Sequence, residues 1–331
     1  MRDATSRPGA SAPVLSGLVV PLLSRCSFPP HGSPLACAVS GGPDSLAMLV
    51  LAVASGCRAT AYHVDHGLRA GSSGEAAVVA EAAERLRAGF VSLRVEVAPG
   101  PNLEARAREA RFAVLPSGAA TGHTADDQAE TVLVNLLRGA GPSGLAGMRP
   151  GARHPILGLR RSETRALVVS LGLSVVEDPT NSDPRHQRNR IRHELLPLAG
   201  EVARRDLVPV LARQAALIAD DADLLEQLAR SVDPGDARAL VTAPAPLARR
   251  AVRRWVRELS GTGYPPDAAA VDRVLAVARG EVLACELPGG LRIRRSKGRL
   301  LASAPDPPSG APGRPGDGSE PDGGHAVRSR R

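Results

Sequence analysis

Two stretches of the chain place polar groups where they could do chemistry. The first is Ser40-Gly41-Gly42-Pro43-Asp44-Ser45. An apolar run, Leu35 to Val39, precedes it at the length of a buried parallel strand. Leu46, Ala47, Met48, Leu49 and Leu51 follow at helical spacing, so the six residues form a strand-to-helix turn. Gly41 and Gly42 lack a Cβ, which lets the backbone turn sharply and lets a ligand approach its N–H groups. Those groups, the unpaired N–H groups of the first helical turn and the Ser40 and Ser45 hydroxyls converge beside the positive end of a helix dipole. The chemistry is phosphate binding. The commonest nucleotide loops fit poorly, because no Lys follows the glycines and no third glycine stands at the dinucleotide-fold spacing.

The second stretch runs from Gly122 to Thr131. Counted from His123, Asp126, Asp127 and Glu130 fall at i+3, i+4 and i+7, so an imidazole and three carboxylates share one stripe at a helix start. Thr124 with Asp127 fits a capping box, which accounts for Asp127 but not for the other polar groups ahead of the apolar Val132, Leu133, Leu136 and Leu137. Such a stripe suits either magnesium or a cationic amine.

The elements needed to position these stretches alternate between strand and helix. Ala59 to Val64 reads as a second strand, ending in His63-Val64-Asp65-His66-Gly67-Leu68-Arg69, where open α/β sheets place ligands. A helix from Ser73 through Arg87 leads to a third strand, Phe90 to Val97. Asn102 starts a helix carrying Arg106, Arg108 and Arg111, and Ala119 to Gly122 enters the carboxylate motif. A short apolar stretch, Pro155 to Leu159, a helix from Ser162 to Leu171 and the pair Val175-Val176 follow. Then Arg185, Arg188, Arg190 and Arg192 give four arginines in eight residues, candidates for RNA backbone contacts.

After Pro197 the alternation stops. Val210, Leu217 and Leu224, with Leu211, Ile218 and Leu225, recur every seven residues and predict a long amphipathic helix to about Arg230. From Leu247 to Leu259 a helix sets Ala248, Val252, Trp255, Val256 and Leu259 on one face and Arg249, Arg250, Arg253, Arg254 and Arg257 on the other; a solvated face usually mixes signs, so this one is a candidate for RNA binding. A last helix runs from a cap at Asp267 to Gly280, and Pro288-Gly289-Gly290 reads as a hairpin turn. Beyond Ala304 the composition cannot bury enough apolar surface to fold.

Of the 42 basic residues only Lys297 is a lysine, and the formal charge is +8. An arginine excess suits nucleic acid, though a GC-rich genome would also produce it. Cys26, Cys37, Cys57 and Cys285 are widely spaced without a CxxC pair, which argues for a reducing compartment and against a zinc or iron–sulfur site. No stretch approaches the roughly 20 apolar residues that span a bilayer, and Val14 to Leu23 is broken by Gly17 and Pro21. A cytoplasmic protein is expected.

The Ser-Gly-Gly-x-Asp-Ser loop resembles that of the N-type ATP pyrophosphatases. Together with His63 to Arg69, Gly122 to Thr131 running on through Arg138-Gly139, and Asp178 to Arg192, the chain resembles the tRNA(Ile)-lysidine synthetase family. The resemblance implies adenylation of C2 of the wobble cytidine in tRNA(Ile) with a CAU anticodon, then displacement of AMP by the amine of free L-lysine. It implies ATP and Mg2+, with Ser40, Gly41, Gly42, Pro43, Asp44, Ser45 and Asp65 around ATP and pyrophosphate, and Asp44 beside the metal. Asp127 and Glu130 would hold the lysine, Arg108 would support the adenylated intermediate, Arg188 to Arg192 would close over the site, and Arg188, Arg190 and Arg192, with Arg249, Arg250, Arg253 and Arg254, would meet tRNA.

Two departures, Thr124 for a second histidine and Phe112 for Tyr, touch none of these roles. The family's members are often dimers, and the chain resembles the shorter form without an additional C-terminal domain. The expected layout is α/β: a flexible segment 1–30, a doubly wound, mostly parallel pyrophosphatase domain 31–200, a linker helix 201–230, a smaller helical tRNA-binding domain with a terminal β-hairpin 231–304, and a disordered tail 305–331. The alternatives are another adenylating enzyme of the same loop type, either a tRNA thiolase or an ammonia-dependent synthetase, and a non-catalytic RNA-binding protein.

Overall fold

The computed structural model describes residues 12–65, 72–95, 106, 110, 112–176, 183–260 and 266–303. The chain divides into two units, one ending at Asp223 and one beginning at Leu224.

In the first unit, α1 (Ala12–Leu23) precedes β1 (Pro34–Ala38). Then α2 (Pro43–Ala54) leads to β2 (Arg58–Asp65), α3 (Ser72–Arg85) to β3 (Gly89–Arg94), and β4 (Ala120–Thr121) to α4 (Ala125–Leu137). The four strands are parallel in the order β3-β2-β1-β4, with Cys37 opposite both Ala61 and Ala120. The order reverses at β1. From β1 the chain steps outward through β2 to β3 and then crosses back to β4 on the other side of β1, so the crevice at the carboxyl ends of β1 and β4 is the switch point where such sheets bind ligands. Both chemical motifs emerge there. Helix α2 is buried from Ser45 to Ala52, which is why this stretch is apolar all round rather than on one stripe.

The two turns approach each other closely. A Cβ on Gly122 would lie 2.8 Å from the Asp44 carbonyl oxygen and from the Ser45 nitrogen and Cα, all backbone atoms that cannot give way. Gly122→Ala is therefore expected to cost about 1–3 kcal/mol, as overpacking does, read from the denaturant midpoint.

Later elements close the site from the side. After α5 (Pro142–Leu145) come α6 (Arg161–Ser170) and α7 (Gln187–Arg190), which runs through a π-helical turn, Ile191–Leu195, into α8 (Leu196–Ala203). Gln128 fastens the glycine-rich loop after α4, donating to the Met148 carbonyl at 3.1 Å and accepting from its N–H at 2.8 Å. Pro155 to Leu159 forms turns that bury Ile156, Leu157 and Leu159. The Val176 N–H donates to the Gly41 carbonyl at 2.9 Å.

Three expectations change. The segment 1–30 is helical from Ala12 to Leu23, and Val19 and Leu22 join the core, because its apolar run has a core to pack on. The third strand ends at Arg94, and Val97 lies outside the described residues. The long helix is α9 (Val208–Ala229), but Leu217 and Leu224 are 54% and 57% exposed, whereas Ala215, Ala219 and Ala222 are buried. Small residues there form the inward stripe, and the division between the units falls within this helix.

The second unit continues with α10 (Ala237–Thr242), α11 (Ala245–Ser260), α12 (Ala268–Arg279) and an antiparallel sheet of β5 (Ala284–Glu286), β6 (Arg292–Ser296) and β7 (Arg299–Ser303). Asp267 caps α12 by accepting from the Ala270 N–H at 2.6 Å, and Gly280 ends it at φ +80°. The hairpin at Pro288 to Gly290 forms as expected. A second one turns at Lys297-Gly298, both at positive φ, as a two-residue turn of this hand requires.

Candidate active site

The loop after β1 is built before any ligand arrives. Gly41 takes φ +86°, and the Ser45 hydroxyl donates to the Gly42 carbonyl at 2.9 Å while accepting from the Ser40 N–H at 3.2 Å. Pro43 occupies the first helical position. It supplies the preset φ there and no N–H, so the donors of the first turn are those of Asp44 and Ser45. At the end of β2, His63 is buried with Nδ1 3.0 Å from the Val39 carbonyl, a packing role beside the loop. The Asp65 carbonyl accepts from the Val95 N–H at 2.8 Å, which holds the strand end.

Opposite, the capping expectation holds on one oxygen. Asp127 Oδ2 accepts from the Thr124 N–H and hydroxyl, each at 2.9 Å. His123 Nδ1 lies 2.7 Å from the Thr121 hydroxyl, its ring edge-on to His154 at 5.1 Å. Glu130 is fully buried.

Three guanidiniums meet these carboxylates. Arg161 sends Nε to Asp44 at 3.3 Å, Nη1 to Glu130 at 3.1 Å and Nη2 to Asp127 at 3.0 Å. Arg188 contacts Glu130 at 2.7 Å and Asp127 at 3.1 Å, and Arg192 takes both Glu130 oxygens at 2.7 and 3.1 Å. Asp126 belongs to a neighbouring pair. It accepts from the Arg161 N–H at 2.8 Å and from Arg160 at 3.1 Å, and Arg160 also reaches Asp206. Thr164 donates its hydroxyl to Asp44.

The two acids nearest the crevice are tuned in opposite directions. Burial raises the Asp44 carboxyl above the usual carboxylate range, against the Thr164 hydroxyl and Arg161. Burial works the same way on Asp127, but Arg161, Arg188 and the Thr124 N–H outweigh it and hold that carboxyl below the usual range. A cavity of about 280 Å³ opens against this cluster, with Asp126, Glu130, Arg161 and Arg192 on one side and Leu196, Pro197, Leu207 and Val208 on another. It has an apolar wall for a hydrocarbon stem and acids for a cationic end.

The expected site residues thus separate into groups. Asp44, Asp127, Glu130, Arg188 and Arg192 come together, and Arg190 instead pairs with Glu194 on the surface at 2.9 Å. Arg108, Arg111, Asp178 and His66 to Arg69 lie outside the described residues. Arg161 and Thr164 were not singled out from the sequence. A signal existed, because arginines at a helix start oppose its dipole and need anions to receive them.

In the second unit the arginine face of α11 divides. Arg254 turns inward, to Glu226 at 3.2 Å and to the Ala229 carbonyl at 3.2 Å, satisfying the end of α9. Arg249 pairs with Asp272 at 3.1 Å, and Arg250 reaches the Pro246 carbonyl at 3.4 Å. Arg253 is half-buried and Arg257 exposed. On the apolar side Ala248, Ala251, Val252 and Val256 are buried and Trp255 packs against them, while Leu259 is exposed.

Residues 23–199 match the family described as a PP-loop domain, and residues 236–301 match the TilS substrate binding domain. The chain is 42% identical over 290 residues to the tRNA(Ile)-lysidine synthase of Nocardia farcinica, covering 80% of this chain and 90% of that protein. It is 39% identical over 313 residues to the tRNA(Ile)-lysidine synthase of Salinispora arenicola, covering 85% and 93%.

Proposed function

The chain belongs to the tRNA(Ile)-lysidine synthase family, and from that membership we propose how its residues share the reaction. The activity is that of a ligase. ATP adenylates the wobble cytidine of tRNA(Ile), and lysine displaces AMP to leave lysidine. Neither the thiolase, the ammonia-dependent synthetase nor the non-catalytic reading is favoured.

In our reading the β1 loop holds the pyrophosphate end of ATP through the N–H groups of Asp44 and Ser45 and the hydroxyls of Ser40 and Ser45, preset by the internal bonds of the loop. Asp44 fits Mg2+, since it is one half-buried carboxylate on a donor-rich loop, and magnesium binds through one or two carboxylates with phosphates supplying the rest. The metal would neutralise charge on the leaving pyrophosphate. Glu130, which lines the cavity, takes the lysine ammonium together with Asp127, to which Arg161 and Arg188 join it, and Leu196, Pro197 and Val208 line the aliphatic stem. Arg188 and Arg192 stand ready for phosphate charge once it forms. Arg108 keeps the role the family resemblance implies.

The observation that carries this reading is the buried acid pair of Asp127 and Glu130, the latter lining a cavity, joined by one guanidinium to the acid of the phosphate loop. Transfer of labelled lysine to a tRNA(Ile) transcript with a CAU anticodon, and not to a methionine tRNA, tests it. AMP release with no lysine transfer would keep the fold and discard the substrate.

Contact with tRNA is assigned to the α11 face, chiefly Arg253, and to Arg190. Arg253→Glu is expected to weaken tRNA binding and lower the slope of log affinity against log salt by about 1, measured by filter binding across a salt series. Such a reaction belongs in the cytoplasm. Among the described residues no helix is long and apolar enough to cross a membrane.

A further inference from the structure

We infer that Arg161 is a positioning residue that couples the two small substrates: its guanidinium closes the lysine subsite until nucleotide draws it away, so that lysine binds after MgATP. This rests on the reading of Asp127 and Glu130 as the ligands of the lysine ammonium.

The argument is one of acceptor capacity. A carboxylate offers about four lone-pair positions. Glu130 receives four N–H donors: Arg161 Nη1 and Arg192 Nε on Oε1, and Arg188 Nε and Arg192 Nη2 on Oε2. Asp127 also receives four, namely Arg161 Nη2 and Arg188 Nη2 on Oδ1, and the Thr124 N–H and hydroxyl on Oδ2. Both acids are saturated. An ammonium gains a place only when a guanidinium leaves.

Arg161 is the one positioned to leave in response to nucleotide. Among the described residues Arg188 and Arg192 bond only Asp127 and Glu130, Arg188 also reaching the Asp127 carbonyl at 3.3 Å, whereas Arg161 also bonds Asp44 in the phosphate loop. Its departure frees one position on Glu130 and one on Asp127 together, two acceptors for an ammonium that has three donors.

Charge gives the direction. Among the described residues Asp44, Asp127 and Glu130 are held by Arg161, Arg188 and Arg192, three acids against three guanidiniums, and the adjoining Asp126 and Asp206 share Arg160. Lysine brings an ammonium against the three guanidiniums already on Glu130, which is unfavourable while all three stay. MgATP adds about two negative charges beside Asp44, which attracts a guanidinium and makes room for a cation. The coupling is reciprocal, so lysine must tighten the nucleotide by the same factor.

Equilibrium dialysis of labelled lysine against the full-length protein tests this, with and without magnesium and an ATP analogue whose α–β bridge is a methylene. The wild-type dissociation constant for lysine is expected to fall at least about tenfold with the analogue, and that of the analogue by the same factor with saturating lysine. Arg161→Gln is expected to bind lysine without nucleotide, its two values agreeing within about twofold, and Arg161→Lys to restore part of the dependence. Equal wild-type affinity in both conditions overturns the coupling and leaves the lysine subsite standing, as does an Arg161→Gln protein that keeps the wild-type ratio. Lysine bound equally well by an Asp127→Asn, Glu130→Gln double variant, or bound in no condition, overturns the subsite assignment and the coupling with it. The wild-type comparison decides the question even where a variant fails to fold.

Discussion

Glu130→Gln is expected to separate the two half-reactions, leaving AMP formation on tRNA(Ile) near the wild-type rate while lysine transfer collapses. The side chain is fully buried and is shared by all three guanidiniums of the site. Losing one partner of a buried, hydrogen-bonded charge pair costs about 2–5 kcal/mol, which corresponds to roughly 30- to 5,000-fold in kcat/KM for lysine. Gln keeps the shape and an acceptor oxygen, so the guanidiniums retain a neighbour. Ala would leave them facing a void and confuse lost chemistry with lost folding. The measurement is paired, with AMP release and lysidine formation followed on one transcript. Equal loss of both steps would sink the division of labour between the phosphate loop and the acids of α4.

Asp44→Asn is expected to act on the other half, reducing AMP release by at least about 100-fold while the protein stays folded. The carboxylate is the only acid in the Ser40 to Ser45 loop, and burial already works against its charge. A neutral isostere therefore relieves a desolvated charge, and the Thr164 hydroxyl can still bond the amide oxygen. A thermal midpoint within a few degrees of wild type, together with absent AMP release, is the expected pair of results. Full AMP release by Asp44→Asn would remove this residue from the metal and pyrophosphate site.

The strand-to-helix turn was legible because its glycines and flanking apolar runs are local signals, and the structure adds only how Ser45 ties it together. The carboxylate stripe was legible by helical spacing. What receives it was legible only in part: the resemblance brought Arg188 and Arg192 over the site, whereas Arg161 comes from α6, brought in by tertiary packing that leaves no periodic trace. The heptad leucines of α9 misled for a related reason. Burial there follows the small residues Ala215, Ala219 and Ala222, whose fit depends on close approach rather than on hydrophobic size. Arg254 looked like its neighbours on α11 and differs only because the end of α9 lies within its reach. The Lys297-Gly298 turn is a weaker hairpin signal than Asn-Gly, and the chain's basic decoration concealed it.

The bond from the Val176 N–H to the Gly41 carbonyl has a consequence for the order in which the protein is made. Gly41 sits at a left-handed φ with Val176 packed where its side chain would be, so the shape of the phosphate loop is completed by a residue synthesised much later. Strand β4 must likewise emerge before β1 has neighbours on both sides. A nascent chain released at Leu137 carries both chemical motifs without the segment that braces the first. Contacts of such long sequence separation are slow to form and close late. The brace that Val176 places on Gly41 is therefore available only after the segment following α6 has been made, although the bonds of Ser45 within the loop are local and form without it.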